Sequence, residues 1–72
     1  MINKNTHHEV SVLLNNGVHN HTKNVENRIL GNSEIGIYAS LYEEKYISVI
    51  DDNISQIFTN LADAREWITD NT

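Results

Sequence analysis

The sequence predicts an α+β fold, in which an antiparallel meander sheet of four or five strands carries one C-terminal helix on one face. Apolar residues alternate along several short segments, turn-forming residues separate these segments, and a capped amphipathic segment follows near residues 60–70. The chain has 72 residues and no cysteine, so it has room for one small domain without disulfides. We expect this domain at residues 7–72, after a disordered tail at residues 1–6.

The first half of the chain predicts hairpins. Val10, Val12 and Leu14 alternate in segment 8–14 as in a half-buried strand. The Asn-Asn-Gly sequence at residues 15–17 suits a tight reversal, so we expect residues 8–14 to pair with residues 18–22. Residues 23–30 fit either a strand or a short helix, and the turn sequence at residues 31–33 favours a second hairpin.

The second half predicts three further strands and the helix. One face of the first strand carries Ile35, Ile37, Ala39 and Leu41, and the other face carries Tyr38, Ser40 and Tyr42. Residues 46–50 return with Ile47 and Val49 inward, and residues 54–58 form a strand of undetermined register. The helix follows, with Asn60 as its N-cap and Asp63 three residues later in a capping-box position. Its sheet-facing stripe comprises Leu61, Ala64 and Ile68.

Negative charge is concentrated in the second half of the chain. The formal net charge is −5, and it arises within residues 43–72 because acidic and basic residues balance in residues 1–42. Such a surface repels phosphate backbones, which argues against nucleic acid as a partner, and it attracts a protein with a basic surface. A solvated acidic surface that only aids solubility is the alternative interpretation.

The preferred contact site is the acidic side of the predicted helix. Asp63, Glu66 and Asp70 recur at helical spacing, and Trp67 lies at the edge of this stripe, so an aromatic anchor is bordered by charge. The neighbouring turns add the remaining predicted contact residues, which are Glu43, Glu44, Asp51 and Asp52. A solvated helix face with Trp67 in the core is the alternative.

Two other groups of residues are weaker candidates. Tyr38, Tyr42 and Tyr46 are expected on the sheet face opposite the core, as a second contact face, as a strip that stacks nucleic-acid bases, or as cross-strand packing. His19 and His21 would share a strand face with Glu9, an arrangement able to bind a transition metal, but exposed histidines are the simpler interpretation. We therefore predict no metal and no cofactor.

The segment from Tyr46 to Ile68 carries a resemblance. It reads as a hairpin followed by Phe58-x-Asn60-Leu61-x-Asp63-Ala64-x-x-Trp67-Ile68. This pattern resembles the hairpin-plus-helix ending of many short phage and mobile-element proteins, including some anti-CRISPR proteins. It is also similar to the arm-binding domains of phage integrases, but those domains hold DNA with basic residues where this chain has acids. The anti-CRISPR likeness implies a small non-enzymatic inhibitor that occupies the surface of a host complex.

No catalytic motif is visible in the sequence. There is no cysteine nucleophile, no Gly-x-Ser-x-Gly turn and no glycine-rich phosphate loop. We therefore expect a cytoplasmic, non-enzymatic protein-binding module, with a phage-encoded inhibitor of a host defence or regulatory complex as the specific hypothesis. One alternative is a homodimeric structural or regulatory module that uses its tyrosine face or a strand edge. Another is nucleic-acid binding through the neutral N-terminal half.

Overall fold

The computed structural model describes residues 2–18 and 21–72. Within them lie two helices and four strands, in the order α1 (Lys4–Asn15), β1 (Thr22–Leu30), β2 (Ser33–Ser40), β3 (Tyr46–Ile50), β4 (Asn53–Phe58) and α2 (Leu61–Asp70). The strands form one antiparallel sheet in the order β1-β2-β3-β4. This confirms the predicted α+β fold with a meander sheet and a C-terminal helix near residues 60–70.

Tight turns with positive backbone φ connect the outer strand pairs. Leu30 pairs with Ser33 across a turn in which Gly31 has φ of 64°, a value that glycine adopts without steric cost. At the β3–β4 turn, where Ile50 pairs with Asn53, Asp51 has φ of 52°. Aspartate tolerates this left-handed conformation better than most residues, so both turns reverse the chain within two residues.

A helix covers each face of the sheet. The first core cluster joins α1 to the sheet and contains Ile2, Val10, Leu14, Tyr38, Ile47 and Val49. The second cluster joins α2 to the sheet and contains Ile35, Ile37, Ile50, Ala64 and Ile68. Successive side chains of a strand point to opposite faces, and β3 contributes Ile47 and Val49 to one cluster and Ile50 to the other. The core is therefore two-sided, whereas the sequence predicted only one covered face.

The strand predicted at residues 8–14 is wrong, because this segment belongs to α1. Val10 and Leu14 are buried, whereas Val12 and Leu13 are 43% and 45% exposed. Burial at a four-residue spacing is typical of a helix that rests on a core. The hairpin predicted between residues 8–14 and 18–22 is therefore also wrong, and its residues 19 and 20 lie outside the described residues.

The ends of α1 explain why a helix forms here. The Asn3 side chain accepts a hydrogen bond from the Thr6 N–H at 3.0 Å, as an N-cap does. At the other end Asn16 adopts the left-handed conformation, with φ of 55°, and Gly17 follows with φ of 87°. The Asn-Gly sequence that suggested a hairpin turn therefore ends a helix. Residues 4–6, assigned to a disordered tail, form the first turn of α1, and Ile2 is buried.

Residues 23–30, which fitted either a strand or a short helix, belong to β1. This strand lies at one edge of the sheet and pairs only with β2. Its register shifts between Asn24 and Glu26, so a bulge interrupts the pairing near Val25. From Glu26 to Leu30 the pairing with β2 is regular.

The three tyrosines do not share one face, which corrects the predicted tyrosine contact face. Tyr38 is buried under α1, where its ring meets the His7 ring edge-on at 5.4 Å. Tyr46 packs on the α2 face. Tyr42 is 73% exposed in the β2–β3 loop. The alternation of β2 ends at Ser40, and positions 38 and 46 occupy opposite faces because Tyr46 pairs with Ala39.

Candidate functional site

Helix α2 carries the predicted contact residues, and its cap fixes where the helix begins. The Asn60 Oδ1 atom accepts a hydrogen bond from the Asp63 N–H at 2.8 Å, and Asn60 Nδ2 donates to Asp63 Oδ2 at 3.0 Å. The first bond satisfies one of the backbone donors that a helix start leaves free. The second holds the Asp63 carboxylate in the first turn, where the helix dipole favours negative charge.

Core contacts then fix the rotation of α2 about its axis. Ala64 and Ile68 are 0% and 2% exposed against the sheet. The Ser48 hydroxyl donates a buried hydrogen bond of 2.7 Å to the Ala64 carbonyl. With 3.6 residues per turn, this rotation places the acidic residues of α2 on the flank towards β4 and Arg65 on the flank towards β1.

The acidic flank of α2 and strand β4 enclose a cleft of about 190 Å³. We call it the acidic cleft, and its lining consists of Gln56, Phe58, Asp63, Glu66, Trp67 and Asp70. The Trp67 side chain is half-buried and packs against the core on the α2 face. The structure thus brings together the helical contact residues proposed from the sequence, and it adds Gln56 and Phe58 from the neighbouring strand.

The acidic cleft carries negative charge that no cation of its lining offsets. Asp63, Glu66 and Asp70 are all exposed, and the two ion pairs within residues 2–18 and 21–72 join Lys45 to Glu43 and Arg65 to Glu26. The carboxylates of the cleft are therefore open to a cation from outside the molecule.

The remaining predicted contact residues lie outside the acidic cleft. Glu43 and Glu44 are exposed in the β2–β3 loop, and Glu43 is engaged by Lys45 at 3.1 Å. This loop lies at the end of the sheet where α2 begins, because Tyr46 pairs with Phe58. Glu43 and Glu44 thus add to the negative field near the helix start without lining the cleft.

Asp51 and Asp52 lie at the other end of the sheet and connect parts of the fold. An Asp51 carboxylate oxygen accepts a hydrogen bond from the Glu34 N–H at 2.9 Å. Asp52 Oδ1 accepts hydrogen bonds from the Thr6 hydroxyl at 2.7 Å and from the Asn3 N–H at 3.2 Å. These two bonds, the Thr6 bond first, lower the pKa of Asp52. The carboxylate of Asp52 thereby joins the start of α1 to the β3–β4 turn.

The histidine-based metal site has no counterpart in the part of the chain that the structure describes. His19 lies outside the described residues, the His21 ring packs edge-on against Tyr42 at 4.7 Å, and Glu9 is exposed on α1 rather than on a strand. Among the described residues no group of three or more His, Cys, Asp or Glu side chains is arranged to hold a metal ion.

Sequence reasoning missed a second cleft, on the flank of α2 that faces β1. It has a volume of about 260 Å³ and is lined by Glu26, Arg28, Ile35, Ile37, Arg65, Ile68 and Thr69. The Arg65 guanidinium is paired with the Glu26 carboxylate across this cleft. A helical wheel would have placed Arg65 on the side of α2 away from the acidic stripe, which gives one wall of this cleft. The other wall is β1, and the sequence did not identify it because residues 23–30 fitted either a strand or a short helix. The two flanks of α2 therefore differ in charge.

No helix within the described residues is both long and apolar enough to cross a membrane. Comparison of the chain with protein-family models, with curated proteins and with solved structures gave no match.

Proposed function

We propose that the protein is a non-catalytic binding module that takes a positively charged segment of another protein into the acidic cleft. The observation that carries this proposal is the joint lining of one cleft by Asp63, Glu66, Asp70 and Trp67. Among the described residues these three carboxylates have no ion-pair partner, and beside the exposed part of an indole they form a receptor for a lysine or arginine side chain.

The chemistry of the cleft matches a cation in two ways. A guanidinium over the Trp67 ring gains about 0.5–1 kcal/mol at an exposed site, and each exposed carboxylate contact contributes about 0.2–1 kcal/mol. The net charge of −5 also steers a basic partner towards the protein before contact. Several modest contacts of this kind give affinity through a peptide segment rather than through a single residue.

The size of the cleft favours a protein segment over a small molecule. Its volume of about 190 Å³ is below the range of roughly 300–1,000 Å³ that is typical of small-molecule pockets. One wall of the cleft is β4, which is an edge strand, so the backbone groups on its outer side pair with no other strand of the sheet. An extended basic segment along this edge would place its side chains in the cleft and its backbone beside β4.

A binding role without catalysis also agrees with the resemblance to anti-CRISPR proteins, which implies an inhibitor that occupies the surface of its target. In this proposal the target presents lysine or arginine side chains on its own surface. Such a surface is common where a host complex holds nucleic acid, so the inhibitor would compete with nucleic acid for the same basic groups.

The test is a titration of the protein with a fluorophore-free arginine-rich peptide, followed through the emission of Trp67. This tryptophan is the only one in the chain, so its emission reports on the cleft. The double variant Glu66→Gln/Asp70→Asn should bind about 2- to 30-fold more weakly, because it loses two exposed ion contacts. Asp63 is left in place because it takes part in the helix cap.

The matched control is Glu9→Lys, which changes the net charge by the same two units at an exposed position on α1, outside the cleft. It should bind the peptide within about twofold of the wild type, because distant exposed charges are screened by salt. Equal losses in the cleft variant and in Glu9→Lys would mean that only net charge matters and would refute the cleft as the site. Absence of binding by the wild-type protein would refute the proposal as a whole.

A further inference from the structure

The outer edge of β1 is an open strand edge with exposed apolar residues. β1 has nine residues and pairs on one side only, with β2. At its C-terminal end Ile29 is 75% exposed and Leu30 is 52% exposed. Unpaired backbone groups beside exposed apolar side chains form a template for another strand.

The turn after β1 determines which backbone groups point outwards. Leu30 and Ser33 flank a two-residue turn, and in such a hairpin these flanking residues exchange hydrogen bonds. Hydrogen-bonded and non-hydrogen-bonded pairs alternate along an antiparallel ladder. The N–H and C=O groups of Asn27 and Ile29 therefore point away from β2, towards solvent.

We infer that β1 pairs antiparallel with β1 of a second copy of this chain, with the two-fold axis at Asn27. The outward groups of Asn27 then exchange hydrogen bonds with those of Asn27 in the second copy. Glu26 lies opposite Arg28 of the second copy, and the symmetry repeats this pair. Both side chains lie on the α2 face and line the same cleft, where Glu26 is also paired with Arg65, so each cross-strand pair adds a second guanidinium to the Glu26 carboxylate.

Charge selects this register over its neighbours. The alternative symmetric registers move the two-fold axis by one residue, to Glu26 or to Arg28, and keep each side chain on its own face of the sheet. Centring the axis on Glu26 would oppose two carboxylates, and centring it on Arg28 would oppose two guanidinium groups. Centring it on Asn27 opposes unlike charges twice in non-hydrogen-bonded positions, where side chains approach most closely.

The contact is limited in length, which sets its strength. The bulge near Val25 ends the regular part of β1, so the pairing covers the section from Glu26 onwards, and Ile29 lies against the bulge of the second copy. A contact this short belongs with the weak interfaces that bury less than about 1,200 Å². The dimer is therefore reversible and depends on concentration. It leaves the acidic cleft at the opposite edge of the sheet open in both copies.

The test measures self-association by sedimentation velocity from micromolar to millimolar concentration. The wild type should dimerise in this range. Arg28→Glu and Glu26→Arg should each weaken the dimer by about 2- to 30-fold, because each turns both cross-strand ion pairs into like-charge pairs. Mixed in equal amounts, the two variants should recover wild-type association, since two carboxylates of one face two guanidinium groups of the other.

Two further variants separate edge pairing from other causes. Lys23→Glu makes the same charge change as Arg28→Glu but lies before the bulge, so it should leave association within about twofold of the wild type. Asn27→Pro removes the outward N–H and should abolish the dimer while circular dichroism shows an unchanged fold. A wild type that stays monomeric, a dimer that survives Asn27→Pro, or a mixture without recovery would each overturn the inference.

Discussion

Replacing Gly36 with alanine should destabilise the protein, because of the ring that lies over this glycine. A Cβ atom at position 36 would lie 2.9 Å from Cε2 of Tyr38, 3.1 Å from its hydroxyl oxygen and 3.2 Å from its Cζ. Tyr38 is 5% exposed beneath α1 and meets the His7 ring at 5.4 Å, so its ring can yield only towards the cleft of about 260 Å³ that it lines together with His7 and Asn24. Gly36 therefore provides the space that a buried tyrosine requires.

Two opposing effects determine the magnitude. Replacing glycine with alanine at an unstrained position stabilises by about 0.4–1 kcal/mol, because the unfolded chain loses freedom. Forcing extra volume into a filled core costs about 1–3 kcal/mol. The difference between the two ranges is a net loss of about 0–2.6 kcal/mol in the free energy of unfolding, or about 1.3 kcal/mol at their midpoints. In a domain of this size, each 1 kcal/mol lowers the Tm by about 4–8 °C.

Urea denaturation followed by Trp67 emission and by far-UV circular dichroism measures this loss. A double-mutant cycle with Tyr38→Leu isolates the contact, because the leucine background lacks the ring. In that background Gly36→Ala should be neutral or stabilising. A higher urea midpoint for the single Gly36→Ala variant, or an equal loss in both backgrounds, would refute the reasoning.

Three further predictions follow from contacts in the fold. Leu14→Ala should lower the free energy of unfolding by about 2–5 kcal/mol. Leu13 is 45% exposed, so Leu13→Ala should lower it by about 1 kcal/mol or less. Similar losses for the two variants in urea denaturation would contradict the orientation of α1. Asn60→Ala should cost about 0.5–2 kcal/mol through the lost N-cap, and unchanged thermal unfolding would show that the cap is dispensable. The pKa of Asp52 is lowered by the Thr6 hydroxyl and the Asn3 N–H, so its stabilising contribution is present above a pH of about 4 and is lost as the pH falls. Asp52→Asn should therefore flatten the loss of stability in acid, and curves for variant and wild type that run parallel from neutral to acidic pH would contradict this.

The second half of the fold could be predicted because several signals agree there. Strand β3 was expected at residues 46–50 and spans Tyr46–Ile50, and the Asn60 cap with Ala64 and Ile68 below it predicted α2. Alternation, turn residues and capping all favoured the same elements. The acidic stripe followed directly from this helix, since helical spacing alone places its residues on one flank.

Helix α1 could not be separated from a strand by its apolar residues. Val10, Val12 and Leu14 fit a period of two, but Val10 and Leu14 also fit a helical period. The β-branched valines favoured the strand. The decisive signals were Asn3 as a cap and Asn16-Gly17 as a helix end, and the second of these is also a hairpin signal.

Because residues 8–14 were assigned to a strand, the predictions for the tyrosines and for the core were also wrong. With only one helix available, one sheet face was expected to be open, and Tyr38 was placed on it. The almost unbroken apolar run of β2 and β3, buried from Ile35 to Ala39 and from Ile47 to Ile50, is typical of a sheet covered on both faces. That pattern, more than alternation, indicated a second covering helix.

The order of the strands also has a consequence for how the chain reaches its native state. Each strand pairs with its immediate neighbour in the chain, so the sheet assembles by closing short loops, which costs little entropy. Topologies rich in such local pairings fold quickly. We expect the strands to pair early in folding and the two helices to pack onto the two sheet faces afterwards. Strands that pair early expose their unpaired backbone N–H and C=O groups only briefly, which limits aggregation between newly synthesised chains.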